Sequence, residues 1–218
     1  MLIVGAKGFA KEVLEVLYQG PAPAAVAFYD DLSPDLPAGL FGTFPVLRTL
    51  EQARQWLAHD PAFALGVGSP RLRRLLAEKM RSVGGVLTST ISPRATVGRF
   101  GNALGDGCNV MSGAVLTSDI TLGEGVLVNL NCTIGHDVVV GDYCELSPGV
   151  HLSGHVVLGP GCVLGTGAVV LPGVHIGANA VIGAGSVVTK PIEADVVAVG
   201  APAKVIKRVP PPAAPAHE

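Results

Sequence analysis

Between Val110 and Val188 an aliphatic residue falls on every sixth position: Val110, Leu116, Leu122, Val128, Ile134, Val140, Leu146, Leu152, Leu158, Leu164, Val170, Ile176, Ile182 and Val188. A helix of period 3.6 or a simple alternating strand drifts out of phase within two such repeats, so six is a structural period. Two positions before the aliphatic residue the side chain is small or short and branched, as in Cys108, Ala114, Val126, Cys132, Cys144, Cys162, Ala168, Ala180 and Ser186. Glycine often follows it, as at Gly123, Gly135, Gly141, Gly159, Gly165, Gly177 and Gly183. This is the hexapeptide pattern of a β-helix, in which each short strand makes one flat face and three faces complete a triangular coil. The aliphatic side chains are expected to stack inside the prism, and the glycines to help its corners turn. Successive coils then lie about 4.8 Å apart, bonded backbone to backbone as in a parallel sheet. At the start of the coil Val97 and Val110 are thirteen residues apart, which predicts one inserted residue around 99–104.

Before residue 90 the pattern changes. It predicts a buried strand over 1–4, a glycine turn over 5–8, a helix over 9–18, a strand over 25–29 ending in Asp30 and Asp31, a helix over 47–58, a strand over 62–67 and a basic helix over 71–83. Strands alternating with helices imply a small parallel sheet covered by helices. The predicted fold is therefore an α/β, Rossmann-like N-terminal domain over 1–88, followed by an all-β parallel β-helix over 89–208. The segment 196–208 reads as a loop with a basic end, and the proline- and alanine-rich residues 209–218 as a disordered tail.

Composition narrows the function classes. Mean hydropathy is +0.49, yet no apolar stretch approaches the roughly 20 residues of a spanning helix, and no secretory signal is evident. A net charge of −2 carries no nucleic-acid footprint. Cys108, Cys132, Cys144 and Cys162 are spaced by multiples of six in the small-residue phase. They read as buried reduced thiols, with neither a disulfide framework nor a zinc site, which favours a cytoplasmic address.

A regular coil is only a scaffold, so chemistry has to come from what its corners present. His136 and Asp137 follow Ile134-Gly135 in the corner phase. An imidazole with a carboxylate beside it can act as a general base. His151, His155 and His175 are the other histidines of the coil; a metal held by His151 and His155 is disfavoured because their phases differ, and no metal is expected. In the N-terminal domain the turn Gly5-Ala6-Lys7-Gly8 opens a helix where an anion can dock. Asp30 and Asp31 lie at the carboxyl end of a strand, where ligands of such sheets bind.

These residues together resemble a known family. The order Gly5-Ala6-Lys7-Gly8-Phe9-Ala10-Lys11-Glu12, Tyr29-Asp30-Asp31, Gly66-Val67-Gly68 and Ile134-Gly135-His136-Asp137 is similar to bacterial sugar acyltransferases of the left-handed β-helix class. So are Ser147-Pro148-Gly149, Gly165-Thr166-Gly167-Ala168, Gly183-Ala184-Gly185-Ser186 and Val199-Gly200-Ala201-Pro202-Ala203-Lys204. The branch contains nucleotide-amino-sugar N-acetyltransferases and sialic acid O-acetyltransferases. The resemblance implies a homotrimer with acetyl-coenzyme A in grooves between neighbouring prisms and the nucleotide-linked sugar held by the N-terminal domain. It assigns His136 as the base, Asp137 as its acidic neighbour, and Lys7, Gly8, Phe9, Asp30, Asp31 and Gly68 as nucleotide-sugar contacts. Glu145, Gly154, Thr166 and Ala184 fall at acetyl-coenzyme A positions, and Lys190, Lys204, Lys207 and Arg208 are candidates for its phosphates. Two residues depart from the pattern: Glu145 stands where many relatives carry histidine, and Phe9 replaces a frequent histidine in the glycine loop. N-acetylation of a nucleotide-linked amino sugar is the leading expectation; sugar O-acetylation and a non-catalytic scaffold are the alternatives.

Overall fold

The structure is a computed structural model that describes residues 1–209. The expected tail from 210 onward lies outside the described residues, whereas Val209 is in place, its N–H donating to the Asp195 carbonyl at 2.8 Å.

The N-terminal domain runs β1 (Leu2–Val4), α1 (Gly8–Leu17), β2 (Ala27–Tyr29), β3 (Gly39–Leu40), β4 (Phe44–Leu47), α2 (Leu50–Leu57), β5 (Ala62–Leu65), α3 (Pro70–Arg81) and β6 (Val86–Leu87). The sheet order is β3-β4-β2-β1-β5-β6, parallel except for the β3–β4 hairpin at one edge. That hairpin was not expected from the pattern, because its two strands are too short to show a period. Apolar residues of β1 divide between two cores: Leu2 and Val4 pack under α2 and α3, and Ile3 packs under α1.

From Thr90 the strands are dipeptides, and each pairs in parallel with the strand three further on, as Leu127 does with Glu145 and Glu145 with Val163, eighteen residues apart. Three faces result: face one from Thr90–Ile91 to Val181–Ile182, face two from Thr96–Val97 to Val187–Val188, and face three from Ala103–Leu104 to His175–Ile176. The six-phase aliphatic residues and the small residues two positions before them form one continuous buried core. The extra residue sits between Thr96–Val97 and Ala103–Leu104, where five residues rather than four turn the corner. Asn102 latches this bulge by donating to the Gly98 and Thr117 carbonyls and accepting from the Ile120 N–H.

The glycines after the aliphatic residues do a different job from the one expected. None of them has a positive φ. A Cβ at Gly135, Gly141, Gly159 or Gly165 would lie 2.8 Å or less from a backbone nitrogen of the next coil, so these glycines let consecutive corners approach. The left-handed turn comes two residues later, at every sixth position from Gly101 to Gly185, where Asp119, Asn131, Asp137, Tyr143, His155 and Asn179 take the place of glycine. Asn, Asp and His tolerate that region better than most side chains. The expected loop over 196–208 is instead an antiparallel hairpin of Val196–Val199 and Lys204–Arg208 that extends face one. Its exposed valine and isoleucine alternate poorly with its lysines, which hides a strand at the pattern level.

The two domains are fastened along face one. Arg73 of α3 is fully buried; it donates to the Gly125 carbonyl at 2.9 Å, the Val67 carbonyl at 2.9 Å and Asn109 Oδ1 at 2.8 Å. Burial holds its guanidinium down to about 10. Beside it Tyr143 leaves its left-handed corner to join the core under α3, with its hydroxyl on Glu124, and Arg81 grips Glu124 at 2.9 and 2.6 Å. On the other side Val16 and Phe9 of α1 pack on Met111 and Leu127, and Gln19 bonds Ser92 and Ser112. Charged hydrogen bonds are worth about 1.5–3 kcal/mol each where buried, so Arg73→Ala should cost about 3 kcal/mol or more, seen as a lower urea midpoint together with faster proteolysis between the domains. The four thiols are buried, and burial pushes Cys108 and Cys132 up to about 11. They should therefore stay silent to a thiol reagent in native buffer and react in full after denaturation.

Candidate active site

Two places carry chemistry. The first is a cavity of about 310 Å³ at the carboxyl ends of β1, β2 and β5, lined by Gly5, Lys7, Tyr29, Asp30, Asp31 and Val67 among others. Lys7 is the N-cap of α1, whose first turn carries no acidic residue to offset the positive end of the helix dipole. Asp30 Oδ1 accepts the Leu32 and Ser33 N–H groups at 3.1 and 2.9 Å, which fixes the turn after β2. Asp31 meets the Tyr29 hydroxyl at 2.9 Å and the Lys79 ammonium. Burial pushes the Asp31 carboxyl up, but the hydrogen bonds from Lys79 and Tyr29 outweigh it and leave the group below its usual range.

Three other residues expected around a sugar nucleotide lie apart from this lining. Gly8 is the first residue of α1. Phe9 is turned into the seam with Met111 and Leu127, because its ring completes the apolar contact between α1 and face one. Gly68 faces the coil: a Cβ there would be 3.3 Å from Glu145 Oε1. Burial raises the Glu145 carboxyl, with the charge of Arg73 pulling it back in part.

The second place is the edge between faces two and three. His136 Nδ1 lies 2.6 Å from Asp137 Oδ2, both side chains about half exposed. The pair is adjacent in the chain, and the left-handed backbone of Asp137 (φ 59°) folds its carboxylate back onto the ring. One coil further on, Gly154 lies under the imidazole: a Cβ at 154 would be 2.7 Å from His136 Cε1 and Nε2. Gly154 takes part in the ladder through its carbonyl, which accepts from Gly173, while among the described residues no acceptor is found for its N–H. His155, next to it, donates its backbone N–H to the His136 carbonyl at 2.9 Å and stands its ring edge-to-face on His136 at 5.0 Å. Its Nε2 is 3.8 Å from the same Asp137 oxygen. The expected pair and Gly154 are thus brought together, and His155 joins them unexpectedly. Its signal was the eighteen-residue step from Asp137, which a search for closely spaced histidines passes over.

Thr166 and Ala184 lie on the edge between faces one and two, following Val163–Leu164 and Val181–Ile182 by the same offset. His151 is on a strand of face two, with Nδ1 2.8 Å from Thr133 Oγ1, and His175 is on face three. The α/β domain covers face one, and the His136 edge is the one opposite that face.

Similar proteins have this architecture. Residues 1–80 match the PglD N-terminal domain, and residues 155–190 the bacterial transferase hexapeptide (six repeats). A variant of perosamine N-acetyltransferase from Caulobacter crescentus, solved in complex with CoA and GDP-perosamine, is 33% identical, with a TM-score of 0.84 over 94% of this chain and 95% of that one. The acetyltransferase domain of PglB from Neisseria gonorrhoeae, in complex with acetyl coenzyme A, is 31% identical, with a TM-score of 0.86 over 94% and 98%. WeeI from Acinetobacter baumannii is 29% identical, with a TM-score of 0.84 over 94% and 98%. Among curated protein sequences none matches the chain.

The close approach of Gly154 to the imidazole has a testable consequence. The ring is an exposed side chain that can swing away, so Gly154→Ala should fold with a melting temperature within about 2 °C of the parent. The His136 ring, however, should leave its seat, and its Asp137-bonded Nδ1–H resonance in NMR spectra should shift or vanish. An unchanged resonance would show that the imidazole does not depend on the missing side chain.

Proposed function

This chain belongs to the sugar N-acetyltransferases that join a PglD-type N-terminal domain to a left-handed β-helix of hexapeptide repeats, and we propose that His136 is the general base with which it works. The enzyme is an acyltransferase that moves the acetyl group of acetyl-coenzyme A to the amine of a nucleotide-linked amino sugar. The observation that carries the base assignment is the 2.6 Å contact between His136 Nδ1 and Asp137 on an open edge.

That contact leaves Nε2 as the free nitrogen, directed over Gly154. As the sugar amine adds to the thioester carbonyl, His136 Nε2 accepts its proton. Asp137 holds the tautomer and stabilises the imidazolium that forms. The unengaged N–H of Gly154 is placed to donate to the oxygen that gains charge. The imidazolium then returns its proton to the departing coenzyme thiolate. No covalent acyl-enzyme is invoked, because all four cysteines are inside the prism.

The nucleotide is assigned to the cavity at Lys7, Asp30 and Asp31, with its phosphates toward the N-terminus of α1. Gly8 supports this as part of that terminus. That cavity belongs to the domain on face one, whereas His136 is on the opposite edge, so we read the active site as shared between chains. The cavity and the edge between faces one and two of one copy meet the His136 edge of the next, and a closed ring of three prisms satisfies every such contact. Gly154 on one copy and Thr166 and Ala184 on its neighbour then flank the coenzyme. Lys190, which follows Val188 by the same two residues as His136 follows Ile134, is placed to meet its phosphates farther along the edge. Buried free thiols and the absence, among the described residues, of any helix long and apolar enough to cross a membrane accord with work in the cytoplasm.

His136→Ala should fold and keep its affinity for acetyl-coenzyme A, while turnover with a nucleotide-linked amino sugar falls by about 10² to 10⁴. Thiol release across a panel of 3- and 4-amino sugar nucleotides reads this directly; turnover close to the parent's would remove His136 from the role.

A further inference from the structure

We propose that His136, Asp137 and His155 together form a binding site for a zinc-class divalent ion, whose occupancy switches the enzyme off. One nitrogen or oxygen from each residue lies within 4.8 Å of the others. The grouping is a product of the coil. Asp137 and His155 occupy the same left-handed corner of consecutive coils, at φ 59° and 61°. Each corner is pinned by the ladder, Asp137 N–H to the Ser118 carbonyl at 3.2 Å and His155 N–H to the His136 carbonyl at 2.9 Å. The Asp137 carboxylate is thereby placed between two imidazoles, 2.6 Å from one and 3.8 Å from the other.

The donor set decides the ion. Two imidazole nitrogens and one carboxylate oxygen, with a fourth position open to solvent, suit zinc and its neighbours. Calcium and magnesium prefer all-oxygen sites. Zinc bonds of about 2.0–2.2 Å bring tetrahedral ligand atoms to roughly 3.3 Å from one another. The His136–Asp137 pair therefore has to open by roughly 0.7 Å and the wider gaps to close by roughly 0.5 to 1.5 Å, and at 59%, 48% and 64% exposure the side chains are free to do so. Competing soft ligands are out of reach, since the four thiols lie inside the prism. Among the described residues this is the one cluster of three such donors.

Binding stands on this geometry alone; the inhibition rests on the reading of His136 as the base. An imidazole bound to a metal through either nitrogen carries its proton on the other. It then has no lone pair to accept a proton from an amine, so the ion and the base function exclude each other.

The test uses the full chain in its native assembly, stripped with a chelator and titrated with zinc chloride. Calorimetry reads binding, and chromatography of the acetylated sugar reads turnover, since the coenzyme thiol itself binds zinc. The parent should take up one ion per chain, lose turnover as the site fills and regain it on adding chelator. His155→Asn, whose side chain tolerates the left-handed corner, is compared with its own turnover in the absence of zinc, whatever that rate is. The zinc concentration that halves its activity should rise by about tenfold or more. His155→Gly, the residue type at the neighbouring corners Gly101 and Gly173, repeats the test if the asparagine variant folds poorly. Equal zinc sensitivity in parent and variant would overturn the proposal, as would the lack of a stoichiometric binding heat. Zinc that binds the parent, fails to bind the variant and leaves the parent's turnover intact would uphold the site and refute His136 as the base.

Discussion

The structure depends on the stacking of each corner onto the one eighteen residues before it. From Gly113 to Gly185 the N–H of each left-handed corner residue reaches a carbonyl of the preceding coil, as Tyr143 does to Glu124 and Gly161 to Asp142. This ladder sets which residues are interchangeable. An inward position must be aliphatic, the position after it must often be glycine because the next coil's backbone touches it, and the turning position must be glycine or a residue that tolerates φ near +60°. The edge that carries His136 and Asp137 uses the freedom left over. Its histidine occupies the one corner position that neither the core nor the turn constrains.

The second determinant is the seam on face one. A small α/β sheet and a prism share no continuous sheet, so their relative placement comes from side chains: Arg73 among three oxygens, Tyr143 and Glu124 under α3, and the apolar contact of α1 with Met111 and Leu127. Burying a guanidinium is unfavourable unless it is well supplied with acceptors, and here carbonyls from both domains and Asn109 give one to each of its three nitrogens. The cavity is thereby held on one side of the prism and the His136–Asp137 pair on the other.

What could be read from residues alone divides along the same line. The repeat was legible because every residue repeats its environment every six positions, and the contact between His136 and Asp137 was legible because the pair interrupts that repeat at a corner. The strands, helices and aspartates around the cavity followed from alternation in the first 90 residues. The true place of the left-handed turn was not legible: a glycine needed for close approach and a glycine needed for positive φ look alike in one dimension. Phe9 shows the same ambiguity, since a residue at the start of a helix can face a ligand or a neighbouring domain, and its packing on Met111 cannot be read from one dimension. His155 was hidden because the relevant separation is a whole coil, and the terminal hairpin because its outward-facing strand Lys204–Arg208 has every residue exposed.

The inserted residue before Ala103 and the hairpin that begins at Val196 bracket a stretch whose fold does not depend on how many coils there are. Adding or deleting eighteen residues past Gly167 would move no side chain from interior to surface, and it would leave the Arg73 seam and the His136 corner untouched. Length is accordingly the one dimension that this architecture leaves free. A lineage can lengthen the prism by whole turns, like links in a chain, without relearning how to fold.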